Sequence, residues 1–412
     1  MRALKKMVQI LWGMAIVVLP FQRFILLEQV GDSGRFNPYA SVTLQMSEVL
    51  ILMAFFLWAL GHGQAFKPGG TQSQQRFGVA VGITLLIMLP MLWANNFDAA
   101  GSAVFHWMAA IATLALIRQQ VLPNKTVVLL FLSTMSLQAI LGIVQVSLSH
   151  SLGLATIGES MVSAQNAGSA KMIIAGKTFL RAYGTFPHPN VLAGYLVVAL
   201  AFLTTLSKKW ENGKIALSAI LGIGLLLTGS KAAIIAMLIA LLIRNKISTQ
   251  KKIFIAGTGA LIVLLTFPFW KNAEFITGRW ELLKISLTML MQQPWGVGPH
   301  HFTLAMQDFT ALKLQPWQFQ PVHNAYLLIA NEWGVWMGIL FALGGLHLLR
   351  NHLKKPTLFL VLPLLLIGLA DHYLVSLPQG ILLTGFVAGW LTGHANGGAL
   401  KKVLISSKHL IP

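Results

Sequence analysis

Apolar runs of about 20 residues recur along this chain, and they limit what it can fold into more than any motif does. A helix rises 1.5 Å per residue, so ~20 residues cross a ~30 Å hydrocarbon core. About twelve such runs fall at 7–27, 43–61, 77–94, 101–118, 126–147, 189–207, 215–229, 231–244, 253–269, 324–350, 357–375 and 379–393. The seventh and eighth are short and joined by TGSK. The pattern predicts an all-α polytopic membrane protein, one integral domain over 1–412. Only 10% of residues are charged, against ~25% in a soluble chain. Cysteine is absent, which removes disulfides, thiolate nucleophiles, Cys-ligated zinc and iron–sulfur clusters.

The chain carries a net charge of +19, a surplus that in a soluble protein would suggest nucleic acid. Here it sorts by membrane side instead. Of 30 Lys and Arg, 20 fall in short alternate connections, among them Arg2, Lys5, Lys6, Arg118, Lys125, Lys214, Arg350 and Lys355. Cations retained on the cytoplasmic side and attracted to anionic lipid explain that set, so both termini are expected in the cytoplasm and nucleic acid is not an expected partner. Arg2, Lys5 and Lys6 precede the first run and no small-residue cleavage site follows it, so an uncleaved helix is expected there.

Most of the other cations, including Arg181, Lys231, Arg279, Lys284 and Lys313, gather on the external side, chiefly in two long connections at 148–188 and 270–323. Long loops in an economical chain are where function concentrates, and these two are expected to cover an active site. The first is rich in Ser, Gly and Ala, a composition that suits a mobile cover. It ends in FPHPN, where Pro189 fits the first turn of a helix flanked by His188 and Asn190. The second ends in PVHNAYL, with His323 and Asn324 at another helix start. Helix N-termini carry free N–H groups and partial positive charge, which suits an anion; ordinary capping would account for these residues equally. Residues 278–291 alternate Trp280, Leu282, Leu283, Ile285, Leu287 and Leu290 with Arg279, Glu281, Lys284 and Ser286, as in an amphipathic helix at the membrane interface. Arg279 would then stand at headgroup height, where a guanidinium grips phosphate oxygens bidentately.

Other ionisable residues admit structural roles. Lys231 at the TGSK tip is either a phosphate contact or a snorkelling lysine. Glu332, inside an apolar run, is a functional candidate, Glu48 suits a structural partner for a cation, and Asp371 with His372 fits capping. Carboxylates are scarce beside His300 and His301 and no HExxH occurs, so no metal site is expected. No GxxxxGK[ST] and no external DxD is present, so the energy for a reaction must reside in the substrate. Arg and Lys, with no cofactor, would neutralise a leaving group.

Four segments, RAYGTFPHPNVLAGYL (181–196), LLLTGSKAAIIA (225–236), TGRWELLKISLTMLMQQPWGVGPHHF (277–302) and PVHNAYLLIANEWGVWMGIL (321–340), resemble in order and topology the O-antigen ligase and polymerase superfamily. The resemblance covers about 180–350. It implies a metal-independent glycosyltransferase of the GT-C type in the bacterial inner membrane. Such an enzyme moves a glycan from undecaprenyl pyrophosphate, on the periplasmic face, to lipid A–core, with inversion at the anomeric carbon. By that analogy Arg181 and Arg279 bind the pyrophosphate. His323 orients or deprotonates the acceptor hydroxyl, imidazole being the side chain that exchanges protons near neutrality. Lys231, His188, Asn190, Asn324 and Lys284 would complete the substrate site. The TGSK hairpin carries Lys231 where the family usually has Arg, so a point charge replaces a fork. An O-antigen polymerase or a protein O-oligosaccharyltransferase would differ only in what docks opposite His323. A transporter fits less well, because intramembrane charges are few, essentially Glu48 and Glu332, and the echo between HPNVLAGYL and HNAYL is too short for a repeat.

Overall fold

The computed structural model describes residues 2–31, 36–61, 82, 85–174, 176–204, 211–243, 250, 273–353 and 355–393. The run at 253–269, the start of the run at 77–94, Arg35, Lys271 and several cytoplasmic-side cations, Lys67 and Arg76 among them, lie outside these residues.

The chain is mostly helical. Among the described residues the helices longer than two turns are α1 (Arg2–Val18), α2 (Met46–Gly61), α3 (Phe97–Arg118), α4 (Asn124–Leu148), α5 (Pro189–Leu203), α6 (Glu211–Leu227), α7 (Lys231–Ile243), α8 (Ala273–Gln292), α9 (Ala325–Trp333), α10 (Val335–His352), α11 (Leu358–Ala370) and α12 (Pro378–Gly393), with short helical turns at Phe302–Ala305 and Tyr373–Ser376. Among the described residues, α3 and α4 are long and apolar enough to cross a membrane; α2, α5, α6, α7 and α11 are apolar but shorter.

Several expected boundaries shift for local reasons. The run at 7–27 is helical only to Val18. Pro20 follows, and a residue before proline is driven out of the α region, so the chain leaves as strand β1 (Phe24–Glu28). It pairs antiparallel with β2 (Val42–Gln45), which also delays α2 to Met46. The run at 324–350 breaks at Gly334, whose φ of +95° ends α9 and begins α10. A Cβ there would lie 2.8 Å from the Trp295 carbonyl oxygen, so only glycine lets that loop pack against the break. A second hairpin, β3 (Lys171–Ile174) with β4 (Lys177–Leu180), stands inside the 148–188 loop.

Close approach of helices builds the core. Gly385 and Gly389, one turn apart on α12, face Ala110 and Leu114 of α3, where a Cβ would come within 2.4 and 2.8 Å of backbone atoms. Small residues at this spacing let two backbones touch. Next to this seam Phe131 stacks on Tyr195 and Phe386, and Phe202 meets Phe131 and Trp390 edge to face. The loop after β4 is held from α4 by two buried glutamines seven residues apart, hence on one helix face. Gln138 Oε1 accepts from Thr185 N at 2.8 Å. Gln145 Oε1 accepts from Tyr183 N and Gly184 N at 3.1 and 2.8 Å, and its Nε2 donates to Gly184 O at 2.8 Å. The buried Glu159 gathers the preceding segment, accepting from Leu152 N, Leu154 N and Gln145 Nε2 at 2.6, 2.6 and 2.7 Å. The Ser- and Gly-rich loop is therefore tied down at its base.

Candidate functional site

Arg181 follows β4 directly, and its backbone is fixed on both sides: its N–H donates to Ala170 O and that of Ala182 to Leu227 O, at 3.1 and 3.0 Å. From there a chain of hydrogen bonds crosses the fold. Arg181 Nε donates to Thr228 O in the TGSK turn, and Nη2 donates to Asn190 Oδ1 at 2.6 Å. Asn190 Nδ2 donates to Asp371 Oδ2 at 2.6 Å. Asp371 Oδ1 accepts from His372 N at 2.8 Å and stands 3.9 Å from His323 Nδ1. That last distance suits an ion pair but is too long for a hydrogen bond, and His323 Nδ1 has no hydrogen-bond partner among the described residues.

Two helix starts frame this chain, as expected. His188 caps α5 by accepting from Asn190 N at 3.1 Å, with Pro189 in the first turn. Asn324 caps α9 by accepting from Tyr326 N and Leu327 N, both at 3.0 Å, and ties it to α11 through Leu369 O at 3.2 Å. Arg279 reaches the same place from α8, Nη1 pointing to Ala370 O at 3.5 Å. Lys231, at the start of α7, lies within electrostatic reach of both guanidiniums. The structure thus brings Arg181, His188, Asn190, Lys231, Arg279, His323 and Asn324 together. Lys284 is not among them. Five positions beyond Arg279 turn it roughly 140° around α8, where it pairs with Glu281 at 2.8 Å and is 54% exposed.

Burial tunes the charges. It lowers Arg181 to about 10, with the Arg279 charge adding to the effect, and it lowers Arg279 as well. Burial and the Arg181 charge bring His188 down to about 4. Burial brings His372 down to about 3 against the pull of Asp371, so both rings are neutral at pH 7. For Asp371 burial acts upward, but the imidazoles of His323, His372 and His188 outweigh it and keep the carboxyl well below the usual range. One carboxylate then faces three cations, and the balance favours an anionic ligand. His323, Asp371 and His372 also have ligand atoms within 4.8 Å of one another, close enough to share a metal ion. Two adjacent guanidiniums oppose a divalent cation there.

Asp371 and His372 sit at the centre of the site, whereas their sequence suggested capping. The signal was the rarity of acids, 11 in 412 residues. The glutamine pair was missed altogether; its signal was two carboxamides seven apart in an apolar run.

Residues 216–342 match the family model described as O-antigen ligase. This segment resembles the O-antigen ligase family. The match supports membership of the O-antigen ligase and polymerase superfamily, which implies a glycosyl-transfer enzyme of ligase or polymerase type. A search of curated proteins returns no match. The ligase-family segment contains Thr228, Lys231, Arg279, His323 and Asn324. Arg181, Asn190 and Asp371 lie outside it; Arg181 reaches it at Thr228, Asp371 stands beside its His323, and Asn190 bridges those two.

Proposed function

We propose that this chain is a multi-pass inner-membrane glycosyltransferase of the GT-C type that moves O-antigen glycan from undecaprenyl pyrophosphate to lipid A–core on the periplasmic face, without a metal ion. The observation that carries the reading is the chain Arg181–Asn190–Asp371–His323, flanked by Arg279 and Lys231. Lipid-facing character fits: Ile339, Leu340, Leu343 and Leu346 form an exposed apolar face on α10, a patch that calls for a non-aqueous neighbour.

Arg181 and Arg279 bind the pyrophosphate, and Lys231 adds a third charge. The acceptor hydroxyl attacks the anomeric carbon opposite the leaving group. A new C–O bond forms, the bond to pyrophosphate breaks with its electron pair leaving on undecaprenyl pyrophosphate, and the configuration inverts. The hydroxyl proton passes to His323 Nε2, while Asp371, beside Nδ1, orients the ring and stabilises its positive form. Negative charge grows on the leaving oxygen, so the cations hold the transition state more tightly than the ground state. Asn190 locks Arg181 and Asp371 together, so that acid and cation keep their spacing without collapsing into a direct salt bridge.

The test is complementation of cells that lack their own ligase but make a compatible glycan and core, read as the lipopolysaccharide ladder on a gel. Wild type is expected to restore the ladder with divalent cations chelated in isolated membranes. No ladder, with the protein in the membrane and lipid-linked glycan accumulating, rejects the acceptor. Transfer to another glycan would then mark a polymerase, and transfer to protein hydroxyls an oligosaccharyltransferase.

A further inference from the structure

A cleft opens on residues other than the cations. It is bounded by Trp93 and Asn95 ahead of α3, Gln293 and Trp295 beyond α8, and Asp308 with Phe309, and it encloses about 460 Å³, within the ~300–1,000 Å³ of small-molecule sites. Trp295 is 70% exposed, which is costly for the largest apolar side chain unless something covers it. The Trp93 indole N–H has no acceptor among the described residues. Asn95, Gln293 and Asp308 are exposed, and no hydrogen bond of their side chains is found among the described residues.

The walls are fixed. Val297 N donates to Asn331 O at 2.8 Å, Gly298 N to Glu332 O at 3.0 Å and Val335 N to Pro294 O at 3.0 Å. Asn96 N donates to His301 Nε2 at 2.8 Å. Unused carboxamides beside a bare indole on rigid walls describe a preformed site.

Its chemistry identifies the ligand. An indole face packs on the C–H face of a pyranose, and carboxamides both donate to and accept from ring hydroxyls. No Lys or Arg lines the cleft, and Asp308 repels anions, so phosphate and acidic sugars are disfavoured. Along α8, Gln293 lies fourteen residues from Arg279, roughly 20 Å. We propose that this cleft binds a neutral sugar of a glycan substrate, several units from the reacting carbon, and so registers the chain while the cations hold its activated end. The proposal rests on the glycosyl-transfer reading. The sugar comes from either the donor glycan or the acceptor, and the test separates the two.

The experiment uses the full chain in nanodiscs, with two probes: the oligosaccharide released by mild acid from the cell's lipid-linked donor, and the deacylated oligosaccharide of its acceptor. Saturation-transfer NMR is expected to show contact with one of them. Trp295→Ala and Asn95→Ala should weaken that binding at least ~10-fold, Trp295→Phe should retain part of it, and Lys284→Ala should leave it unchanged. In a transfer assay Trp295→Ala should raise KM for the same substrate and spare kcat. Failure of both probes to bind wild type, or equal binding by Trp295→Ala, overturns the proposal. So does a Trp295→Ala effect confined to membrane retention, since that would mark an interfacial anchor. If wild type binds sugar but transfers none, the reaction falls while the cleft stands; transfer with no sugar contact does the reverse.

Discussion

Two histidine–carboxylate pairs show what separates a staple from a site. His106 Nδ1 lies 2.7 Å from Glu48 Oε1, with both side chains at most 1% exposed. Its Nε2 meets Ser102 Oγ at 3.2 Å, and Glu48 Oε2 accepts from Gln45 N at 3.2 Å. Both ring nitrogens are satisfied within the fold, and the pair joins α2 to α3. His323 stands 3.9 Å from Asp371, 21% exposed, with Nδ1 unbonded. The same chemical pair is closed in one place and incomplete in the other. An incomplete pair beside cations leaves work for a substrate.

The largest expected effect falls on the open pair and its neighbours. His323→Ala and Arg279→Ala should each lower glycan transfer by ~10²–10³ or more while leaving the melting temperature near wild type. His106→Ala should do the opposite, removing one partner of a buried pair at ~3–5 kcal/mol; the surviving folded protein should keep its turnover per molecule. Parallel melting and transfer assays on purified protein check both, and a His323 variant that melts early without losing turnover would erase the distinction.

Asp371→Asn should reduce transfer by at least ~10-fold, because the ring's positive form loses its counter-charge while the hydrogen bond from Asn190 survives. Gln145→Leu should give a smaller loss, expressed as a raised KM for the donor, since it frees the backbone after Arg181 without touching substrate. A pH series gives the weakest effect. In the folded state Asp371, His188 and His372 all resist protons, at lowered values that include about 4 for His188 and about 3 for His372. Between those values and the ordinary histidine value near 6.5, the unfolded chain binds more protons. The stability these three groups contribute should therefore be level above about pH 7 and fall on acidification. His372→Gln should flatten that slope, and an unchanged slope would show that the ring is already charged in the fold.

Much of the site was legible because charge is scarce here. In an apolar chain Arg181, Arg279 and His323 stand out singly, and Pro189 and Asn324 mark helix starts by well-understood capping chemistry. The pairing of Asn190 with Asp371 was not legible, because nothing local in either segment refers to a partner 181 residues away. Lys284 was misplaced because an amphipathic pattern does not state which face meets the protein. The breaks at Pro20 and Gly334 were hidden by apolar neighbours on both sides, where hydropathy continues although the backbone does not.

The hydrogen-bonded chain from Thr228 through Arg181 and Asn190 to Asp371 has a consequence for the protein's birth. Arg181 leaves the ribosome 190 residues before Asp371, some 10–40 s earlier at ~5–20 residues per second. Until α11 and the residues after it are made, Arg181 and Asn190 lack Asp371 as their partner. On the proposed reading, a chain that ends before Asp371 would hold the cations without the carboxylate that stands beside His323. On that reading the order of synthesis completes the site only when the last helices arrive.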